Sequence, residues 1–250
     1  MTMTLWNRQS DAPLTLLREE PSGDPGADLE RGVQLLREVQ SGERGPLLRL
    51  YRPDPTLAFG QRDVRLPGFE LASRAAANQG FAPLVRKAGG RAAAYHRGTL
   101  IVDHIEPQAE AIMHQQQRFE IFARLYADAF RRAGVQAEVG PIDGEYCVGD
   151  HSVHGVPGAG SAIGHAVKLV GTAQRVISGA WLFSSVFVVE NSEPLRRVLD
   201  AVYQAMEVPM NPATVGAGDD LAPGLTTETF IEALLAEYRE HVAVPEQTAG

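Results

Sequence analysis

Three short stretches of this 250-residue chain carry side chains able to do chemistry. The segment GEYCVG at 144–149 holds the only cysteine, Cys147, between glycines and beside Glu145 and Asp150. A free cysteine packs as a small hydrophobe or, in a polar turn-forming loop such as this, meets a substrate as a nucleophile. The segment VKLVGTAQR at 167–175 places Lys168 between Val167 and Leu169, at the end of an expected strand and before an expected Gly-Thr turn. Alternation turns such a lysine away from its apolar neighbours, onto a solvated sheet face or toward a ligand. The segment VRKAGGRAAAYH at 85–96 sets Gly89 and Gly90 after a basic pair. Paired glycines make a turn, or they bring backbone N–H groups close to a phosphate or carbonyl. Cys147, His151, His154 and His165 are borderline metal ligands in one region, but their spacing fits no usual zinc pattern, so no metal site is assigned.

Elements must position these groups. Leu29, Val33, Leu36 and Val39 mark a helix face after a loop at 21–27. Phe119, Phe122, Tyr126, Ala129 and Ala133 mark a longer one, stopped by Gly134. Ser192 as cap and Pro194 open a helix with Leu195, Val198, Leu199 and Val202, and a last helix is expected at 227–238, followed by a loose tail from 242. Strands are expected at 47–51 and 57–59, joined through the prolines at 53 and 55 as a hairpin or sheet edge, and in the apolar runs 166–170 and 180–189. Alternating strands and helices without repeats imply an α/β fold, a mixed sheet covered by helices. The length suits one domain spanning 1–250.

Composition narrows the function classes. With 31 acidic against 23 basic residues and a net charge of −8, broad nucleic-acid or anionic-membrane binding is not expected. One cysteine permits no internal disulfide, and no apolar run approaches the ~20 residues of a membrane helix, so a cytoplasmic protein is expected.

Taken together and in order, the motifs resemble the family of lipoate-protein ligase A, octanoyltransferases and, more distantly, biotin ligases. YRPDPTLAFGQ at 51–61 is similar to the family's early strand, RKAGG at 86–90 to its acyl-pocket loop, Tyr95 and His96 to the aromatic-His pair after it, and KLVGTAQR at 168–175 to its most diagnostic motif. The resemblance covers 47–216. It implies a mixed, largely antiparallel sheet flanked by helices, with Lys168 at the acyl carbonyl and Arg86, Gly89, Gly90, Tyr95, His96, Gly171, Thr172 and Ala173 about the substrate. This chain departs from the pattern where Arg91 and three alanines replace a third glycine, and where Leu182–Ser185 stands for a His-Gly-Ser segment. About 35 residues follow Val215, too few for the additional C-terminal domain that full ligases often carry.

The resemblance implies an enzyme that transfers an octanoyl or lipoyl group to a lysine of a lipoyl carrier domain or the glycine-cleavage carrier protein. With acyl carrier protein as thioester donor, no ATP is needed and a cysteine exchanges thioester for thioester. Cys147 is then the nucleophile, and Lys168 polarises the donor carbonyl and steadies the thiolate. The alternatives are an ATP- and Mg-dependent lipoate-protein ligase working through an acyl-adenylate, and a non-catalytic acyl-binding relative. Arg86, Lys87, Arg91 and Arg97 are expected as a basic rim for docking the carrier.

Overall fold

A computed structural model describes residues 6, 8, 10–87 and 89–245. A seven-stranded sheet runs in the order β1 (Thr15–Glu19), β2 (Leu47–Tyr51), β6 (Thr99–Pro107), β10 (Ala180–Val188), β9 (Val167–Ile177), β8 (Val153–Gly155), β7 (Ala137–Val139). Only β1 and β2 pair in parallel; every other neighbour is antiparallel. A second sheet has β3 (Thr56–Phe59) between β4 (Ala82–Val85) and β5 (Ala93–Tyr95). The α/β class and the mixed, largely antiparallel sheet agree with the sequence reading.

The long apolar run of β10 follows from its place inside the sheet. Both faces are covered, so no polar alternation is required. On one face Phe183 and Phe187 meet Phe122, Tyr126 and Phe130 of α3 (Gln115–Arg132) and Phe230 of α5 (Thr227–Arg239). On the other, α1 (Pro25–Gln40) buries Leu35, Leu36 and Val39 against Leu47, Ile105 and Leu182. The second sheet is closed by α2 (Phe69–Asn78) and α4 (Ser192–Ala205), whose Leu195, Val198, Leu199 and Val202 form the expected stripe.

Several expectations are corrected. β2 and β3 form no hairpin: residues 52–55 carry the chain from one sheet to the other, and each strand lies inside its own sheet. Ser192 is the first helical residue of α4, not its cap; Asn191, in the left-handed region at φ 57°, is the cap. The tail is tied down as far as it is described, with Val242 and Val244 buried and Leu14 N donating to Ala243 O. Residues 246–250 lie outside the described residues. Among the described residues no helix is long and apolar enough to cross a membrane.

One buried polar chain crosses the core beneath the large sheet. Ser185 Oγ donates to Tyr126 OH at 3.0 Å, and Tyr126 lies 3.4 Å from Tyr238 OH. Tyr238 meets His104 Nδ1 at 3.4 Å, so His104 Nε2 donates to Glu106 Oε1 at 2.9 Å. Trp6 Nε1 and Arg8 complete the shell of Glu106. Burial pushes the His104 imidazole below its ordinary 6.5, with Glu106 opposing. A histidine held neutral in the fold takes up its proton more readily when unfolded, so its contribution is complete above pH ~6.5 and is lost as pH falls below it. We expect Tm to drop from about pH 6.5 toward pH 5, and His104→Asn, though less stable throughout, to show a shallower drop over that window in thermal melts.

Candidate active site

β9 is the strand on which the site is built. Lys168 is its second residue and is 1% exposed, not a solvated lysine at a strand end. Gly171 and Thr172 form no turn; they pair with Val186 and Ser185 inside the sheet. Leaving an ammonium so deep is costly unless all its protons find acceptors. Lys168 Nζ donates to Glu145 Oε1 at 3.0 Å, Tyr146 O at 2.9 Å and Cys147 O at 2.8 Å. Glu145 is itself buried and accepts from Ser152 Oγ at 2.6 Å and from Gly149 N and Ile142 N, each at 3.3 Å.

This clamp holds Cys147 in a conformation that L-residues seldom adopt. Its φ is 46°, a left-handed geometry costing on the order of 1–2 kcal/mol outside glycine. Both sides of the residue are pinned, the carbonyl by Lys168 and the N–H by Tyr203 OH of α4 at 2.9 Å. Tyr203 in turn donates to Ala92 O at 3.0 Å, tying the cysteine loop to the residue before β5. Burial pushes the phenols of Tyr203, Tyr146 and Tyr95 up, so each stays protonated at neutral pH.

The sulfur faces the glycine loop. Arg91 N donates to Cys147 Sγ at 3.1 Å, and Arg86 Nη2 lies 3.9 Å from it. Gly90 makes that approach possible: its φ is +95°, and a Cβ there would sit 2.9 Å from Sγ and 2.6 Å from Arg86 Nη2. Gly60 has a similar reason, since a Cβ would fall 1.9 Å from Gly90 O. Arg86 thus reaches the thiol, while the hydrogen bonds of Lys168 go to Glu145 and the loop's backbone. Arg86 also donates to Arg91 O at 2.7 Å and meets Tyr95 OH at 3.4 Å. It is thereby turned inward and drops out of the expected rim. Lys87, Arg91 and Arg97 pair with Glu30, Asp63 and Asp54.

Two cavities meet here. One, about 280 Å³, contains Cys147, Lys168, Gly90 and Thr172. The other, about 300 Å³, lies under α1 and is walled by Leu29, Val33, Ile101, Leu182, Tyr95 and Ala173. Arg86, Gly171 and Val186 belong to both. Gly171, where a Cβ would be 3.4 Å from Val186 Cγ1, keeps the shared wall thin. Residues 182–185 lie within β10, and Leu182, Ser184 and Ser185 line the cavity under α1. Nε of Arg86 and Nε of Arg175 are buried without a hydrogen-bond partner among the described residues.

Of the expected site residues, Cys147, Lys168, Arg86, Gly90, Tyr95, Gly171, Thr172 and Ala173 line one cavity or the other. Gly89 and His96 line neither. His96 accepts from Gly98 N at Nδ1 and meets Asn191 O through Nε2, which makes it a support for the turn before β6. Among the described residues no three His, Cys, Asp or Glu are placed to hold a metal; His154 Nδ1 meets Gly140 O, and His151 stacks on Phe119. Sequence reasoning missed Tyr203 and the Arg91 N–H, neither of which leaves a local signal. A buried lysine's need for a carboxylate was the available pointer to Glu145 as its partner. Tyr203→Phe leaves Cys147 N and Ala92 O without their shared partner; we expect a loss of about 1–3 kcal/mol in denaturant unfolding, and a loss below ~0.5 kcal/mol would remove Tyr203 as a tie.

The model of the lipoyl protein ligase A/B catalytic domain matches residues 24–239. An octanoyl-[GcvH]:protein N-octanoyltransferase of Anoxybacillus flavithermus is 32% identical over 161 residues, 64% of this chain and 54% of that protein. The enzyme of the same name from Geobacillus kaustophilus is 26% identical over 165 residues, 66% of this chain and 55% of its own. The chain thus spans about half the length of these relatives. A crystal structure of lipoate-protein ligase A bound with ATP shares the fold, with a TM-score of 0.72 and 20% identity over 96% of this chain and 90% of that one. The match over most of its length and the shared fold place this chain in the lipoyl protein ligase A/B catalytic domain family.

Proposed function

We propose that the chain is a single catalytic domain that transfers an octanoyl or lipoyl group to a lysine of a lipoyl carrier protein through a thioester on Cys147. The observation that carries this reading is the surrounding of Sγ, an N–H at 3.1 Å and a guanidinium at 3.9 Å, on the wall of a cavity that shares Arg86, Gly171 and Val186 with a second. Cysteine attacks a carbonyl as its thiolate, and the N–H and guanidinium are placed to hydrogen-bond the sulfur. The apolar walls under α1 suit the hydrocarbon chain, and the cavity holding Cys147 suits the reacting carbonyl.

In the first step Cys147 Sγ bonds to the acyl carbon and the donor's bond to that carbon breaks, its leaving group taking a proton. In the second, the acceptor amine bonds to the same carbon and Cys147 departs. Lys168 keeps Cys147 aimed during both steps. By exchanging one backbone contact for the acyl oxygen, it also supplies charge to the tetrahedral intermediate. The donor is a carrier-bound acyl group, as acyl carrier protein thioester or on the GcvH named for the relatives, and the acceptor is a lysine of a carrier domain or the glycine-cleavage carrier.

The unpaired Nε atoms of Arg86 and Arg175, both at the cavity under α1, favour a second reading. They would suit the phosphate of an acyl-adenylate formed with ATP and Mg by a ligase. Intact-mass spectrometry after incubation with octanoyl-carrier protein and no ATP separates the two. We expect an octanoyl adduct on the wild type, none on Cys147→Ala, and loss of carrier modification by at least ~100-fold in that variant. Modification of the carrier only when ATP and octanoate are supplied would favour the ligase.

A further inference from the structure

The transfer step has a proton requirement that the residues placed so far do not meet. A protein lysine is an ammonium at neutral pH and must shed a proton before its nitrogen can attack a thioester. Lys168 cannot take that proton, because all three of its donors are bound to Glu145, Tyr146 and Cys147. Arg86 is raised above its already high value by Tyr95 and Cys147 against the pull of burial, and Tyr146 is held protonated by burial. Cys147 is acylated at this stage.

Two groups remain on the wall of the Cys147 cavity, Asp150 and His151. A carboxylate is too weak a base to hold an amine's proton near neutral pH, whereas imidazole exchanges protons in that range. His151 follows Cys147 by four residues on the clamped loop and lines the same cavity. Its ring is fixed from outside, stacked on Phe119 of α3 with centroids 5.9 Å apart at 13°. Gln116 Nε2 lies 2.8 Å from His151 Nε2. With the amide turned so that its oxygen accepts from Nε2–H, the neutral ring keeps Nδ1 as its basic nitrogen, and the same contact persists once Nδ1 is protonated.

We propose that His151 is the base that accepts the acceptor lysine's proton in the transfer step, an inference that rests on the thioester reading above. The ammonium gives one proton to His151, which passes it to solvent at the half-exposed mouth. The free amine bonds to the acyl carbon, the Cys147 sulfur–carbon bond breaks, and the proton shed by the new amide nitrogen goes to sulfur. The ionisable groups that line the cavity with His151 are Asp150, Cys147 and Tyr146 from its own loop, Lys168 from β9 and Arg86 from the glycine loop. From α3 come Gln116 and Phe119, which do not ionise.

The test starts from isolated octanoyl-enzyme, mixed with a carrier domain and followed by mass spectrometry between pH 5.5 and 9. In His151→Gln we expect the octanoyl adduct still to form, and its transfer at pH 7 to slow about 100-fold with loss of the acid limb of the profile. In Gln116→Glu, a carboxylate beside the ring favours imidazolium and should move that limb up by about one pH unit. A purely structural role for His151 would not produce that move. Transfer from His151→Gln acyl-enzyme at the wild-type rate, or an unmoved limb in Gln116→Glu, overturns the assignment and leaves the thioester reading standing. Absence of any adduct on the wild type overturns both.

Discussion

The site depends on one buried charge. Lys168 lies inside the large sheet, and an ammonium there is tolerated only because three acceptors converge on it. Those acceptors are supplied by three consecutive residues, so satisfying the lysine fixes the path of the chain through Glu145, Tyr146 and Cys147. The left-handed conformation of Cys147 then follows from the clamp, and Tyr203 secures its other side. The positive-φ Gly90 completes the arrangement by letting a backbone N–H reach the sulfur. Lys168 is in this way an architectural element of the cysteine loop.

The division of labour between cations follows. Arg86 approaches the sulfur from the glycine loop, while Lys168 faces the loop's carbonyls. Small residues on β9 and β5 leave the space between them. Gly171 thins the wall between the two cavities, and Ala93, buried in β5, lies along the one that holds Cys147. On β10, Leu182 and Ser184 give the cavity under α1 an apolar side chain and one hydroxyl, while Ser185 turns its hydroxyl to Tyr126 on the other face.

Much of this was legible in the residues. The stripes at Leu36, Phe122 and Val198 read as helices because each has one buried face, and periodicity records burial. The three chemical segments were found because glycine, cysteine and lysine are informative in such contexts. What was not legible depends on contacts distant in sequence. No local pattern says that β2 and β3 belong to different sheets, since prolines at 53 and 55 suit a turn and a crossover equally. The burial of Lys168 depends on Glu145, 23 residues away, and a lysine flanked by apolar residues reads the same on a wet or a dry face. Tyr203 sits in an ordinary helical stripe, and the Arg91 N–H has no side-chain signature at all. His96 looked like part of the substrate site because it follows Tyr95, yet it points at Asn191.

The most direct test of this account is amide hydrogen exchange across 142–152 in the wild type and in Lys168→Met, which keeps much of the side chain's volume but no charge or donors. Lys168 as the organiser of the cysteine loop predicts that the amides of Cys147 and Gly149, bound to Tyr203 and Glu145, exchange at least ~10-fold faster in the variant while β6 and β10 keep their protection. Equal protection of the loop in both proteins would show that Cys147 is held without Lys168, and would contradict the account at its centre.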